Sequence, residues 1–188
     1  MEPGCFYHIY NRGNNREDIF REEENYRFFL QRYKRYVTRY VDTYAYCLMP
    51  NHFHFLIRVK DSVIGSEDRE GSALTPLEKA FRDFFISYAK SFNQRYHRTG
   101  SLFQYKFRRK IIEDDAHQMR LVVYIHRNPV KARLCSAFGD WAYSSYCATI
   151  GTGSTLVQRD AVLGWFGGRE GFIVAHQGEG DWDWEPAD

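Results

Sequence analysis

The alternation of residues 52–59 constrains the fold of this chain more than any other feature. Apolar side chains recur at every second position, which predicts a half-buried β-strand with two different faces. The two predicted faces are Phe53, Phe55, Ile57 and Val59 on one side, and His52, His54, Leu56 and Arg58 on the other. Core packing gives no reason for two imidazoles on one strand face, whereas such a pair can contact a single ion. The strand therefore predicts a metal site on one face of a β-sheet.

The segments around this strand predict the element order β-α-β-β-α-β. Weak alternation over 5–10 predicts a first strand, apolar spacings of three and four predict a helix over 22–40, and residues 43–49 predict a second strand. Pro50-Asn51 would form either a tight hairpin turn or a bend before the third strand. A second helix begins with the capping-box sequence Thr75-Pro76-Leu77-Glu78 and ends near 99–100. Residues 102–112 alternate again and predict a fourth strand.

This order is that of the ferredoxin-like split βαβ fold, so we expect an α+β protein with an antiparallel sheet and two helices on one sheet face. The other sheet face would remain free for a site, and the third strand would be an inner or near-inner strand. A further helix over 116–127 would be capped by Asp114-Asp115 and stopped by Pro129. We expect a main domain over 1–130 and a C-terminal extension over 131–188.

Within the extension, residues 140–146 predict either a short strand or a packing loop, and 159–166 predict a short helix. The charge of the chain is unevenly distributed: the formal net charge is +2, yet residues 177–188 hold five acidic groups and no basic one. Residues 82–110 are, by contrast, rich in Lys and Arg with Asp83 as the acidic exception. Such a patch attracts polyanions, although a solvated basic face would have the same composition.

The four cysteines are widely scattered and no pair has zinc-ligand spacing. We find no signal peptide before them and no apolar run of transmembrane length, so we expect reduced thiols in a cytoplasmic protein.

The chemistry that the His pair supports depends on a third ligand. Two imidazoles with an oxygen ligand make an open site that suits Mg²⁺ or Mn²⁺ near a phosphate. Asn128 lies one helical turn beyond Tyr124 and could give an amide oxygen to the metal while Tyr124 faces the same phosphate. A nearby cation such as Arg120, Arg127 or the metal would favour the phenolate of Tyr124, whose free pKa is about 10. The alternative is that Tyr124 is simply one of 14 tyrosines, half-buried on an amphipathic helix.

Cys47 would be a conceivable further ligand, but nothing supports it. The remaining histidines we interpret as surface or capping groups: His8, His97, His117, His126 and His176.

Several motifs in this order resemble the REP-associated tyrosine transposase branch of the single-tyrosine HUH transposases. His52-Phe53-His54 after Met49-Pro50-Asn51 is similar to the His-hydrophobic-His motif, and residues 124–130 are similar to the tyrosine helix. Further matches are residues 7–14, 100–104 and 140–146, and the likeness runs from about 6 to 147 with a weaker match over 162–167.

The resemblance implies a nuclease core that acts on single-stranded DNA beside a hairpin such as a REP element. His52, His54 and Asn128 would hold Mg²⁺ or Mn²⁺, and Tyr124 would attack the scissile phosphate to leave a 5′-phosphotyrosine and a free 3′-hydroxyl. Cleavage and strand transfer would then use one site, in a cytoplasmic, nucleoid-associated protein. The DNA-binding candidates are Arg12, Lys106, Arg108, Arg109, Arg120 and Arg127.

Other classes fit less well. A histidine-triad hydrolase needs a third His where this chain has Leu56, and a relaxase usually has a third His ligand and several tyrosines. The serious rival is a DNA-hairpin-binding protein that no longer cleaves, which has no need of Tyr124. Whether the protein acts as a monomer or a homodimer, and what loop 60–75 and the acidic tail do, remain open at this stage.

Overall fold

The computed structural model describes residues 1–63, 74–104 and 106–178. Its elements follow the predicted order and add helices at the C-terminal side. They are β1 (Phe6–Arg12), α1 (Glu23–Tyr36), β2 (Val41–Met49), β3 (His52–Val59), α2 (Pro76–Arg95), β4 (Arg108–Ile112), α3 (Asp115–Lys131), α4 (Tyr146–Ile150), α5 (Arg159–Trp165) and α6 (Arg169–Gln177). The predicted α+β class and the predicted β-α-β-β-α-β order with an added helix are therefore confirmed.

The four strands form one antiparallel sheet in the order β2-β3-β1-β4. This is the arrangement expected for a ferredoxin-like fold, and β3 is an inner strand as predicted. Pro50 and Asn51 form the tight hairpin turn between β2 and β3. The register places His54 between Cys47 of β2 and Tyr10 of β1.

One sheet face is covered by α1 and α2, whose aromatic rings fill the larger core. Phe29 of α1 packs edge-on against Tyr88 of α2, with ring centroids 4.9 Å apart, and Tyr33 stacks on Phe55 of β3 at 4.4 Å. The start of α2 has the predicted capping box, because the Thr75 side chain accepts a hydrogen bond from the Glu78 backbone N–H. Phe53, Phe55, Ile57 and Val59 all face this core, which confirms the predicted alternation of β3.

The second sheet face is not left free, contrary to our expectation. Helix α3 and the C-terminal residues cover much of it with a second core, which contains Leu56 of β3, Ile125 of α3 and Phe172 of α6. The predicted alternatives for 140–146 resolve to a packing loop along β2, where Ser145 N–H donates to the Tyr46 carbonyl at 2.9 Å. An open sheet face would have left these apolar side chains in water, so the extension buries them.

The fourth strand is shorter than predicted, since β4 begins at Arg108 instead of residue 102. The chain before it still follows β1: Asn14 N–H donates to the Leu102 carbonyl and Gln104 N–H to the Arg12 carbonyl. It then departs at Lys106, whose φ of 60° is incompatible with a strand. Alternation alone did not reveal this interruption, because the side chains on both sides of it keep the same period.

Helix α3 continues through Pro129 to Lys131, so the predicted stop at 127 was wrong. A proline inside a helix removes one backbone donor and leaves a carbonyl one turn earlier without its partner. Here the orphaned carbonyl is that of Ile125, and Nδ2 of Asn128 donates to it in a long hydrogen bond of 3.5 Å, while the same Nδ2 donates to the Tyr124 carbonyl at 2.8 Å.

Other boundaries differ by less. The first two helices end earlier than predicted, at Tyr36 and Arg95, and the first two strands are longer. The predicted helix over 159–166 is present as α5, whereas α6 was not anticipated. Most of loop 60–75 and the acidic tail beyond residue 178 lie outside the described residues. No helix in the described ranges is long and apolar enough to span a membrane.

Candidate metal and tyrosine site

The two predicted metal ligands of β3 face α3, on the second side of the sheet. Their rings are nearly perpendicular, with centroids 5.1 Å apart. His54 is buried and His52 is half-buried, so the pair lies at the edge of the second core. The sequence alternation thus predicted correctly that both imidazoles share one sheet face.

Asn128 of α3 lies beside this pair, with its side chain within hydrogen-bonding reach of His52. Because its Nδ2 donates to the Tyr124 carbonyl, its Oδ1 is the atom that remains to accept a hydrogen bond or to bind a cation. The same Nδ2 also contacts the Ile125 carbonyl, which Pro129 leaves without a backbone donor, so both contacts orient the amide. The structure brings together all three residues that were predicted as metal ligands.

Tyr124 lies one turn before Asn128 and is half-buried. Its ring meets His54 edge-on, with centroids 5.6 Å apart, and meets His8 edge-on at 6.4 Å. The predicted nucleophile is thus adjacent to the predicted metal ligands, although the two groups are separated by about 70 residues of sequence.

His8 completes the site and was missed: its interpretation as a surface or capping group was wrong. It is fully buried on β1, where its Nε2 and Nδ1 of His54 are 2.9 Å apart in a hydrogen bond. Tyr10 stacks on the His8 ring with centroids 4.6 Å apart. The alternation of Phe6, His8 and Tyr10 does predict that His8 and Tyr10 share one face of β1. The sequence alone does not show that β1 pairs with β3, so it could not place His8 beside His54.

The hydrogen bonds orient both proposed ligands in the same way. Nδ1–H of His52 donates to Oδ1 of Asn51 at 2.6 Å, and Nδ1 of His54 is occupied by His8. Each ring therefore has Nε2 as the nitrogen that remains for a metal ion. Partners on the second ring nitrogen are what fixes the ring orientation of metal-binding histidines in general.

The histidines of the site are held in the neutral form, which is the form that binds metal. Burial, followed by the charge of Arg12, lowers the pKa of His52 to about 4. Burial lowers the pKa of His8 to about 3 and that of His54 well below its ordinary value, with neighbouring imidazoles adding to the effect on His54. No proton therefore has to be displaced from these rings at neutral pH before a cation binds.

The donor set would leave open positions on a divalent ion, since it offers two imidazole nitrogens and one amide oxygen. In the described part of the chain, no three His, Cys, Asp or Glu side chains are placed to hold a metal ion among themselves. The surroundings of Cys47 do not favour it as a ligand: it is buried, its Sγ lies 3.8 Å from Sδ of Met49, and burial raises the pKa of its thiol well above the usual range.

Basic side chains adjoin the site from β1 and β4. Arg12 lies opposite His52 in the register, and Arg108 lies opposite Tyr10, so both belong to the sheet face of the site. Lys110, which we did not predict, shares this face and lies close enough to His8 to lower its pKa. These three residues form a basic border beside the histidines.

The other predicted DNA-binding residues are distributed differently. Arg120 is exposed and Arg127 half-buried, on the turns of α3 that flank Tyr124. Arg109 faces the opposite side of the sheet and forms an ion pair with Glu78 at 2.7 Å, and Lys106 lies in the loop before β4. The structure therefore divides the six candidates between two faces; their role in DNA binding stays a prediction.

A second histidine cluster lies in the second core, where we expected surface groups. His126 Nδ1 and His176 Nε2 are 2.9 Å apart, and His126 Nε2 lies 2.7 Å from the Ser145 hydroxyl. Both rings are buried, and Nδ1–H of His176 donates to the Phe172 carbonyl at 2.7 Å. The cluster joins α3, α6 and the loop beside β2. His97 is exposed as predicted.

Comparison with known proteins points in one direction. No protein-family model matches the chain. A protein of Haemophilus influenzae named as a REP-associated tyrosine transposase is 29% identical over 122 residues, which are 63% of this chain and 66% of that protein, just under two thirds of its length. A solved structure of a REP-associated tyrosine transposase bound to a REP hairpin has a TM-score of 0.55 and 19% identity, and covers 85% of this chain and 93% of that one. At this identity the structural likeness establishes the fold.

Proposed function

Because the chain resembles the REP-associated tyrosine transposases in both sequence and fold, we propose that it is a metal-dependent endonuclease and strand transferase of hairpin-containing DNA. Its substrate would be single-stranded DNA beside a hairpin such as a REP element, the partner of the structural relative. The observation that supports this most is the convergence of Tyr124 and Asn128 of α3 with His52 and His54 of β3.

Mg²⁺ or Mn²⁺ would be held by Nε2 of His52, Nε2 of His54 and Oδ1 of Asn128. When bound there, a divalent ion would neutralise oxygens of the scissile phosphate and stabilise the leaving oxygen. The chain supplies the orientation in advance: Asn51 and His8 fix the two rings, and the Tyr124 carbonyl fixes the amide. Preorganisation of this kind lowers the cost of binding both ion and phosphate.

Tyr124 would act as the nucleophile on the phosphate held at this site. Its Oη forms a bond to phosphorus while the bond from phosphorus to the 3′ oxygen breaks, which leaves a 5′-phosphotyrosine and a 3′-hydroxyl. The phenol loses its proton, and the departing 3′ oxygen gains one. Since one phosphoester replaces another, a 3′-hydroxyl can attack the phosphotyrosine in reverse, and strand transfer needs no further site.

The basic border of Arg12, Arg108 and Lys110 would hold phosphates next to the reacting one, and Arg120 and Arg127 would contact the strand along α3. Contacts of this kind provide affinity and register without reading the bases. Binding should therefore weaken steeply as salt concentration rises.

The test is adduct formation on single-stranded DNA that contains the hairpins flanking the gene, incubated with Mn²⁺ and resolved on a denaturing gel. We expect a DNA-linked protein band that is lost with EDTA and in Tyr124→Phe, and kept in Tyr40→Phe, which removes the same hydroxyl from a tyrosine outside the site. Binding to these substrates without adduct or nicked product would contradict the proposal and favour a non-cleaving hairpin-binding protein.

A further inference from the structure

A groove of about 950 Å³ lies between α2 and the segment from Gly100 to Phe107, on the sheet face opposite the candidate metal site. Exposed positions of α2 form one side of the groove, and this segment, which is hydrogen-bonded to β1 through Gln104 N–H, forms the other. The volume is near the upper end of the range for small-ligand sites, roughly 300–1,000 Å³. The groove is not lined by any of the proposed metal ligands or by the proposed nucleophile, which are His52, His54, Asn128 and Tyr124.

The floor of the groove is aromatic and apolar. The half-buried ring of Phe85 lies between those of Phe103 and Phe107, with centroids 5.4 Å from each. Ile86 and Leu74 are 45% and 40% exposed at its sides. Apolar side chains gathered in a concave surface, in contrast to isolated exposed ones, indicate a site that is covered by something else.

The rim of the groove is basic and contains amides. Among the described residues that line the groove, the acidic side chain is Glu78, and the four basic side chains are Arg82, Lys90, Lys106 and Arg109. The acidic group is engaged by Arg109 at 2.7 Å and Arg82 pairs with Asp83 at 3.0 Å, which still leaves more basic than acidic side chains at the groove. Asn11, Asn93 and Gln104 add amide groups at the same surface. An apolar peptide or a second copy of this chain would not require such an excess of positive charge, whereas a polyanion would.

We propose that this groove binds unpaired nucleotides of the DNA strand that reaches the tyrosine site, an inference that rests on the proposed function. Aromatic rings in a basic groove are the combination that binds single strands, because bases stack on the rings while phosphates contact the rim. Paired bases in a duplex have their faces covered by their neighbours, so the ring floor selects unpaired ones. The groove therefore supplies a second contact, away from the reacting phosphate.

The two sites lie on either side of the same end of β1, which allows one strand to contact both. Asn11 lines the groove, while its neighbour Arg12 faces His52 across the sheet. Beyond them, Gln104 N–H binds the Arg12 carbonyl, so the groove wall joins directly to the border of the metal site.

The first test is binding of a fluorescently labelled, unstructured DNA oligonucleotide of mixed sequence, measured by anisotropy. Lys90→Glu and Ile86→Glu place a carboxylate in the groove on exposed positions of α2, and we expect each to weaken binding roughly tenfold. Lys79→Glu is the matched control, since Lys79 is exposed on the same helix but does not line the groove. Equal affinities for Lys90→Glu and Lys79→Glu would overturn the inference.

The second test locates the bound strand by photocrosslinking an oligonucleotide that contains 5-iodouracil, with mass spectrometry of the peptides. We expect crosslinks within residues 76–95 and 100–107, and crosslinks confined to α3 and β1 would overturn the inference. A dimer of the free protein that Ile86→Glu dissociates, with oligonucleotide affinity unchanged, would instead assign the groove to a second copy of the chain.

The two proposals fail in distinguishable ways. Lys79→Glu, which lies outside both sites, should form the Tyr124 adduct as the unmodified protein does, and binding of the unstructured oligonucleotide can be measured whether or not an adduct forms. Absence of an adduct in the unmodified protein, with groove binding intact, would contradict the enzymatic function alone.

Discussion

Nε2 of His8 and Nδ1 of His54 are 2.9 Å apart, in a hydrogen bond between the two central strands of the sheet. This contact leaves Nε2 of His54 directed away from β1 and fixes the plane of a ring that we propose as a metal ligand. Neither residue is exposed to water by more than 4%. His8 is thus a positioning residue for the proposed site, and its role can be separated from that of the ligands.

We expect His8→Leu to weaken Mn²⁺ binding by roughly 10–100-fold, the usual effect of losing a partner on the second ring nitrogen. Isothermal titration calorimetry with Mn²⁺ would measure this, together with a thermal melt to establish that the variant is folded. His8→Gln is the matched control, because its terminal amide lies near the position of Nε2 and can restore the hydrogen bond. A purely structural role would give equal metal affinity for both variants.

Asn128 has two proposed roles, as a metal ligand through Oδ1 and as a hydrogen-bond donor to carbonyls of α3 through Nδ2, and different substitutions should separate them. Asn128→Asp keeps an oxygen for the metal but loses the donor to the Tyr124 carbonyl, so we expect Mn²⁺ binding to persist and stability to fall by about 1 kcal/mol. Asn128→Ala should lose both. Chemical denaturation and Mn²⁺ titration are the two measurements.

Pro129→Ala provides a control for the helix-supporting task, because it restores a backbone donor for the Ile125 carbonyl. Added to Asn128→Asp, it should recover part of the stability without changing metal affinity. Loss of Mn²⁺ binding in Asn128→Asp, with normal stability, would contradict the assignment of metal binding to Oδ1 and of helix support to Nδ2.

The stability of the protein should fall in mild acid. The pKa values of His8, His52 and His176 are lowered by burial to about 3, 4 and 4 in the folded chain, against about 6.5 when unfolded. Above pH 6.5 these three neutral rings do not lower the free energy of unfolding. Between about pH 6.5 and 4 the free energy of unfolding falls, because in this range the unfolded state binds protons and the folded state does not. The slope is about 1.4 kcal/mol per pH unit for each group. Urea denaturation between pH 7 and 4 would measure it, and a flat profile would contradict it.

The hydrogen bond between His126 and His176 should anchor α6 to the tyrosine helix. We expect His176→Leu to destabilise the protein by about 1–3 kcal/mol, because it leaves a buried ring nitrogen of His126 without its partner. Hydrogen exchange should then rise first in α6. Val174→Ala is the control on the same helix, since Val174 is 65% exposed. Equal exchange in α6 of the two variants would indicate that the cluster is not an anchor.

Local patterns in the sequence were sufficient for most of the fold. The limits of β3 and the capping box at Thr75 agree with the structure, because strand alternation and helix capping depend on residues within a few positions of each other. The ending of α3 and the start of β4 did not agree. In both places a contact that is invisible to periodicity decides the outcome: the Asn128 side chain beside Pro129, and the turn at Lys106.

By itself, the sequence determined that His52 and His54 share a strand face and that Tyr124 and Asn128 share a helix turn, since both follow from fixed backbone periods. Only the tertiary structure decided that these two pairs meet, that His8 lies behind His54, and that a basic aromatic groove lies on the opposite sheet face. The physical reason is that strand order and helix docking depend on the burial of apolar faces from distant segments, such as Leu56 and Phe172. Contacts of that kind leave no periodic trace in either segment alone.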